Sequence, residues 1–243
     1  GKRVYLGKER ILGVFGMKPV HQTTKEERTA VPKVKELYID IGAKNKAEAQ
    51  AKVKLGEVGV FDGETLLFGD GFLKGKAIDD RAGCAAMIKL AQEELPMDVT
   101  FVFSTQEEVG TRGIRPAAYG VDPDVGIAVD VTLSDDLLGA AHNCSSVLGK
   151  GPGVKVMDSS VICHPEVVKA LEQCAQDKGI AVQRDIIRAG GTDAGPIHVT
   201  RTGVHTGGIS IPCRYIHTPT EMADLSDVQS CVDLTVAFAQ AKL

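Results

Sequence analysis

Apolar and polar positions alternate through the first part of the chain. Residues 2–6 (KRVYL) and 37–41 (LYIDI) repeat with period two between Gly, Pro and charged loops, as half-buried strands do. One short polar helix is predicted at 44–50 (KNKAEAQ). After about Gly69 the texture changes. Residues 80–95 form a helix with Ala85, Ala86, Ile88 and Leu90 on its apolar side, while 97–104 (MDVTFVFS) and 125–131 (VGIAVDV) are near-continuous apolar runs, the mark of strands covered on both faces. A helix at 165–178 and strands at 182–188 and 208–216 follow. The last helix, 226–242, is predicted to open on a capping box of Ser226 and Gln229. Strand and helix alternate over about 170 residues, which predicts an α/β fold with a central, mostly parallel sheet flanked by helices. The domain boundary is placed at the change of texture, giving a β-rich domain at 1–69 and an α/β domain at 70–243.

Composition narrows the classes. Of the 243 residues, 43% are hydrophobic, enough to bury a core and to exclude intrinsic disorder. No apolar run approaches the about 18 residues of a membrane-spanning helix. The net charge of −4, with no Lys/Arg-rich stretch, argues against a nucleic-acid partner. Cys84, Cys144, Cys163, Cys174, Cys213 and Cys231 form no CxxC pair and lie mostly among small apolar residues, so they read as reduced thiols of a cytoplasmic protein. The chain opens directly on a strand, without a signal peptide or initiator Met, and is expected to be part of a longer polypeptide.

The chemistry is expected at the carboxyl ends of the strands, where open α/β sheets form their sites. Asp79 and Asp80 stand just before the first long helix, in GKAIDDRAG. Glu107 and Glu108 follow the run 97–104, Asp130 ends VGIAVD, and His217 closes the strand that ends in Arg214-Tyr215-Ile216. Each has a plain structural reading: Asp79 or Asp80 as a helix cap, the glutamates as a solvated loop, and Asp130 and His217 as hydrogen-bonded strand ends. Asp193, in GGTDAG, reads as a helix cap. Convergence shifts the balance. Four carboxylates at one sheet edge repel unless a cation neutralises them, and Asp, Glu and His together suit zinc. One carboxylate can bridge two ions about 3.5–4 Å apart. Of two adjacent glutamates, one can bind metal while the other stays free as a base. No phosphate loop, GxGxxG or GxSxG motif is present.

Five ordered motifs, GKAIDDRAG, FSTQEEVGTRG, IAVDVT, GGTDAG and RYIHTPTEM, resemble those of the TET-type di-metal aminopeptidases, a family that includes glutamyl aminopeptidases and endoglucanase-named members. Upstream, VFGMKPVHQ and LYIDIGAKNKAEAQ are similar to that family's inserted β-barrel dimerisation domain. The resemblance implies that Asp79 bridges two divalent ions, with a cis bond to Asp80. Glu108 and His217 would complete one ion's ligands, Asp130 would bind the other, and Glu107 would be the general base toward a bridging water. The ions would be zinc, with cobalt or manganese as alternatives. Substrates would be peptides with a free N-terminus, and self-association through the barrel domain, up to a dodecamer, is implied. The family's catalytic domain begins before the barrel with a His-x-Asp pair that this chain lacks; His164-Pro165-Glu166 lies elsewhere in the order and receives no role. Two rivals remain: a di-zinc carboxypeptidase or N-deacylase of the same fold, and a catalytically incomplete assembly subunit.

Overall fold

The computed structural model describes residues 2–140 and 145–241. Cys144 and the end of the last predicted helix at Lys242 lie outside the described residues. The chain divides into two compact units, residues 1–64 and 65–243.

In the first unit, β1 (Arg3–Leu6), β2 (Ile11–Phe15), β3 (Ile39–Asp40) and β4 (Gly59–Phe61) form an antiparallel sheet in the order β3-β2-β1-β4. Two short helices, α1 (Lys25–Thr29) and α2 (Lys46–Lys52), interrupt it, each opened by a side-chain cap: Thr24 accepts from the Glu27 amide and Asn45 from the Glu48 amide. The expected barrel is corrected here. Among the described residues the sheet does not close, because β3 and β4 each pair with one neighbour. Two and three residues long, they are too short to curl round and meet.

The second unit is a mixed sheet flanked by helices. Its strands are β5 (Leu66–Phe68), β6 (Phe72–Gly75), β7 (Val125–Leu133), β8 (Gly153–Met157), β9 (Gln183–Ile186), β10 (His205–Arg214) and β11 (Glu221–Asp224). β10 is the hub: it pairs in parallel with β7, and antiparallel with β8 and β11. Residues 206–213 of β10 are all buried, as a strand covered on both faces must be. Among the described strands the pairings β5–β6, β6–β11, β11–β10 and β10–β8 are antiparallel, and β7–β10 and β8–β9 are parallel, so the expectation of a mostly parallel sheet does not hold. An apolar run reports burial but not direction. Short connections such as that between β5 and β6 bring the chain straight back antiparallel.

The expected strand at 97–104 is also corrected, because residues 98–104 pair with no strand among the described residues. The run is apolar enough for a sheet interior, yet a strand exists only where a ladder partner satisfies its backbone groups.

The helices are α3 (Ile78–Leu90), α4 (Ile114–Val121), α5 (Pro165–Lys178), α6 (Ala194–His198) and α7 (Leu225–Gln240). α3 and α5 pack on α7, and Ile209, Ile211, Leu171, Leu234 and Val154 form the dry centre of the core. α4 and α6 make a smaller cluster through Ile114, Ala118 and Ile197. The predicted capping box at α7 is replaced by Asp224, whose carboxylate accepts from the Ser226 amide at 2.8 Å. Gln229 instead bonds Asp233 one turn on. Two buried carboxylates organise the sheet's surroundings. Asp227 accepts from the Gly149 and Gly151 amides, both at 2.7 Å, and Asp185 accepts from Lys155 at 2.6 Å and from the Thr132 hydroxyl at 2.9 Å. The described cysteines are all free thiols, and no helix among the described residues is long and apolar enough to cross a membrane.

Candidate metal centre

β6 ends at Gly75, which lies opposite Glu221 of β11 in the antiparallel ladder. The chain turns there into α3, and the Asp79 amide donates to Glu221 Oε2 at 3.1 Å. The Asp79–Asp80 peptide bond is cis. The Asp80 side chain does what the plain reading of this pair expects, accepting from the Gly83 amide at 2.9 Å to hold the first turn of α3.

Glu107 and Glu108 sit on a tight loop before α4. The Glu107 carbonyl accepts from the Gly110 and Thr111 amides, and the Gly113 amide closes onto the Thr105 carbonyl. A Cβ at Gly113 would lie 2.4 Å from that carbonyl oxygen, so the closure requires glycine. His217 follows β10 in the left-handed region (φ 62°), a conformation that is strained for a residue with a side chain. Its amide is held by Glu221 Oε1 at 3.2 Å. One buried carboxylate, 3% exposed, therefore ties together the two segments that carry Asp79 and His217.

Three side chains converge. His217 Nε2 lies 3.3 Å from Asp79 Oδ2 and 3.4 Å from Glu108 Oε2, and one ligand atom from each residue falls within 4.8 Å of the others. Tetrahedral zinc with bonds of about 2.0–2.2 Å separates its ligands by about 3.3–3.6 Å, so the spacing fits one divalent ion. Among the described residues no Lys or Arg forms an ion pair with Asp79, Glu107, Glu108 or Asp130. Their mutual repulsion is visible in their acidities. Burial, then the Glu108 charge, pushes the Asp79 carboxyl up to about 6. Burial, then the charges of Asp193, Glu108 and Asp79, pushes Glu107 up to about 7. Asp80 rises to about 8, chiefly through burial.

Asp130, near the end of β7, lies outside that close triad. It is half-buried and accepts from the Val131 amide at 2.8 Å. Burial, then the charges of Asp80 and Asp79, drives its carboxyl well above the usual range, so it shares the same electrostatic neighbourhood. Asp193 corrects its reading as a helix cap. It stands at the start of α6 but makes no capping bond; Oδ2 instead accepts from the Ser104 hydroxyl at 2.5 Å. Glu107, Glu108 and His217 line a cleft of about 500 Å³, whose other wall includes Ser160, Thr192 and α6.

Glu221 was missed by sequence reasoning, and so was the tie between Ser104 and Asp193. The one available signal for Glu221 was an acidic residue among apolar neighbours in PTEMADL, close to His217.

Residues 1–234 match the M42 glutamyl aminopeptidase family. The chain belongs to that family. M42 proteins are metal-dependent peptide hydrolases, and the chain belongs to that enzyme class. The chain is 44% identical over 226 residues, 92% of its own length and 67% of the other's, to a protein of Acetivibrio thermocellus that is provisionally named an aminopeptidase. Aminopeptidase APDkam598 from the archaeon Desulfurococcus kamchatkensis superposes with a TM-score of 0.91 at 38% identity, over 99% of this chain and 69% of that one. The TET1 peptidase of Pyrococcus horikoshii, which can assemble into a tetrahedron or a large octahedral shell, gives 0.87 at 29% identity, over 100% and 72%. The chain spans about two thirds of the length of these relatives.

Proposed function

We propose that this M42 chain carries the catalytic residues of a metallo-aminopeptidase that removes N-terminal residues from peptides. The observation that carries the reading is the convergence of Asp79, Glu108 and His217 at ligand spacing beside Glu107. In it, Asp79, Glu108 and His217 would hold one divalent ion, and Asp79 and Asp130 would serve a second. Zinc suits the mixed carboxylate and imidazole set. When bound, such ions acidify water and polarise a scissile carbonyl.

Glu107 is the base. Its carboxyl near 7 lets it take a proton from water at neutral pH and return it to the leaving amine. Glu108 contacts His217 and is committed to the ligand cluster, so the two adjacent glutamates divide the roles. Glu221 orients Asp79 and His217 through their amides and touches neither substrate nor ion. The acidic surroundings also favour a substrate's free α-ammonium.

The first unit leaves Leu12 and Val14 exposed on one face of β2, which suits self-association, and the assemblies of TET1 relatives, a dodecamer in one structure and a tetrahedron or large octahedral shell in another, support an oligomer such as a dodecamer. The β-rich N-terminal part, expected at 1–69 and in the structure the unit 1–64, would serve that assembly, and the remainder the chemistry. Free thiols suit a cytoplasmic setting.

The test is Glu107→Gln with zinc supplied, assayed on an aminoacyl-p-nitroanilide. The expected loss in kcat is about 10²-fold or more with metal content unchanged. Near-normal turnover would overturn the assignment of the base. A panel of free and N-blocked peptides separates this reading from a carboxypeptidase or deacylase, because only an aminopeptidase requires the free amine.

A further inference from the structure

The cleft has a second chemical pole. α4 and α6 pack through Ile114, Ala118 and Ile197, and the residues that follow Ile114 and Ile197, Arg115 and His198, both line the cleft that holds Glu107, Glu108 and His217. Arg115 is the sole Lys or Arg among the described lining residues, and its side chain makes no hydrogen bond or ion pair with any described residue. His198 Nδ1 lies 2.5 Å from the Gly195 carbonyl oxygen, which can only accept, so Nδ1 carries a hydrogen that is spent on the backbone. A permanent guanidinium with its donors unspent thus shares one cleft with a group of carboxylates. That polarity mirrors the zwitterion of a short peptide, and guanidinium is the side chain whose donor fork matches a carboxylate.

We propose that Arg115 is a specificity-determining residue that binds a carboxylate of the peptide substrate, either its C-terminus or an acidic side chain. The inference rests on the aminopeptidase reading for the identity of the ligand, but its test does not depend on turnover.

Binding is measured by calorimetry in chelator, on the full chain, with two matched pairs: Leu-Gly-Gly against its C-terminal amide, and Glu-Gly-amide against Gln-Gly-amide. In the wild type the charged member of at least one pair binds about ten-fold tighter or better, as a charge-assisted bond implies. In R115A that ratio falls to about one, and R115K keeps part of it, since it retains charge without the fork. Because each ratio is taken within one protein, a general loss of folded material moves both members alike. A collapse in the first pair names the C-terminus as the source, and a collapse in the second names the side chain. Equal ratios in wild type and R115A for both pairs overturn the inference. Hydrolysis of the same four peptides with zinc then addresses the peptidase reading separately. A collapsing binding ratio without hydrolysis of any peptide leaves the subsite standing and removes the activity.

Discussion

Removing metal from this centre should make the protein more stable in mild acid than at neutral pH. Asp80, with a carboxyl at about 8 in the fold, is ordinarily acidic once unfolded, near 4. Between those values the folded chain keeps a proton that the unfolded chain has released. The penalty is therefore largest above pH 8 and fades as pH falls toward 4. One such proton is worth about 1.4 kcal/mol per pH unit, so going from pH 7.5 to 5.5 contributes up to about 3 kcal/mol from Asp80 alone. Glu107 and Asp79 act in the same direction, through smaller and more solvent-screened contributions. Asp136 acts in the opposite sense, since its hydrogen bonds from Arg214 hold its carboxyl below the usual range. Its contribution is complete above pH of about 4 and is lost only below that, outside the window. For a chain of this size about 3 kcal/mol corresponds to roughly 6–10 °C in Tm. The assay is thermal unfolding of chelator-stripped protein, followed by circular dichroism at the two pH values and matched ionic strength. Asp80→Asn, which keeps an acceptor for the Gly83 amide, should raise Tm at pH 7.5 and shrink the gap. Zinc added at pH 7.5 should reverse the order, because it neutralises the charge beside Asp80 and Glu107 and because protons compete with metal for the ligands Asp79, Glu108 and His217. A stripped protein that is equally or less stable at pH 5.5 would refute the picture of uncompensated charge.

Two further outcomes follow from named bonds. Glu221→Gln keeps the volume but turns one acceptor into a donor against the Asp79 or His217 amide and removes a negative charge, so zinc affinity should fall about 10–100-fold in a chelator competition; a change of less than about twofold would show that Glu221 does not position the ligands. Lys155→Met leaves the Asp185 carboxylate, fully buried, with the Thr132 hydroxyl as its remaining side-chain partner, and should lower stability in urea by about 3–5 kcal/mol, with Lys155→Met/Asp185→Leu recovering most of the loss.

Local signals carried the elements that depend on local physics. The helix read at 165–178 is α5, because Pro165 supplies the first-turn φ and Gly179, at φ 66°, ends it in a conformation that favours glycine. The buried strands at 125–131 and 208–216 were legible from apolar continuity, with β7 and β10 offset by up to three residues. What failed was non-local. Strand direction, closure of the first sheet and pairing of 97–104 each depend on which segment lies alongside. A hydrophobic pattern is blind to that, since it records only how much surface must be covered.

The centre divides in the same way. Asp79, Glu108 and His217, which converge, and Glu107 and Asp130, which share their electrostatic neighbourhood, were legible as candidates from residue type and from the strand ends the apolar runs predicted, although the run before Glu107 forms no strand. Glu221 was not, because its task is to accept two backbone amides, and any segment offers those. Asp193 misled for a related reason: an Asp before a short helix has a local use that is usually correct, and only the tertiary approach of Ser104 diverts it. A group whose partner is the backbone leaves no trace in the partner's sequence. Side chains proposed to touch metal or substrate are therefore readable from type and spacing, whereas those that would aim them become visible only when distant segments, here the starts of α3 and β11 and the turn at His217, are brought within hydrogen-bond reach.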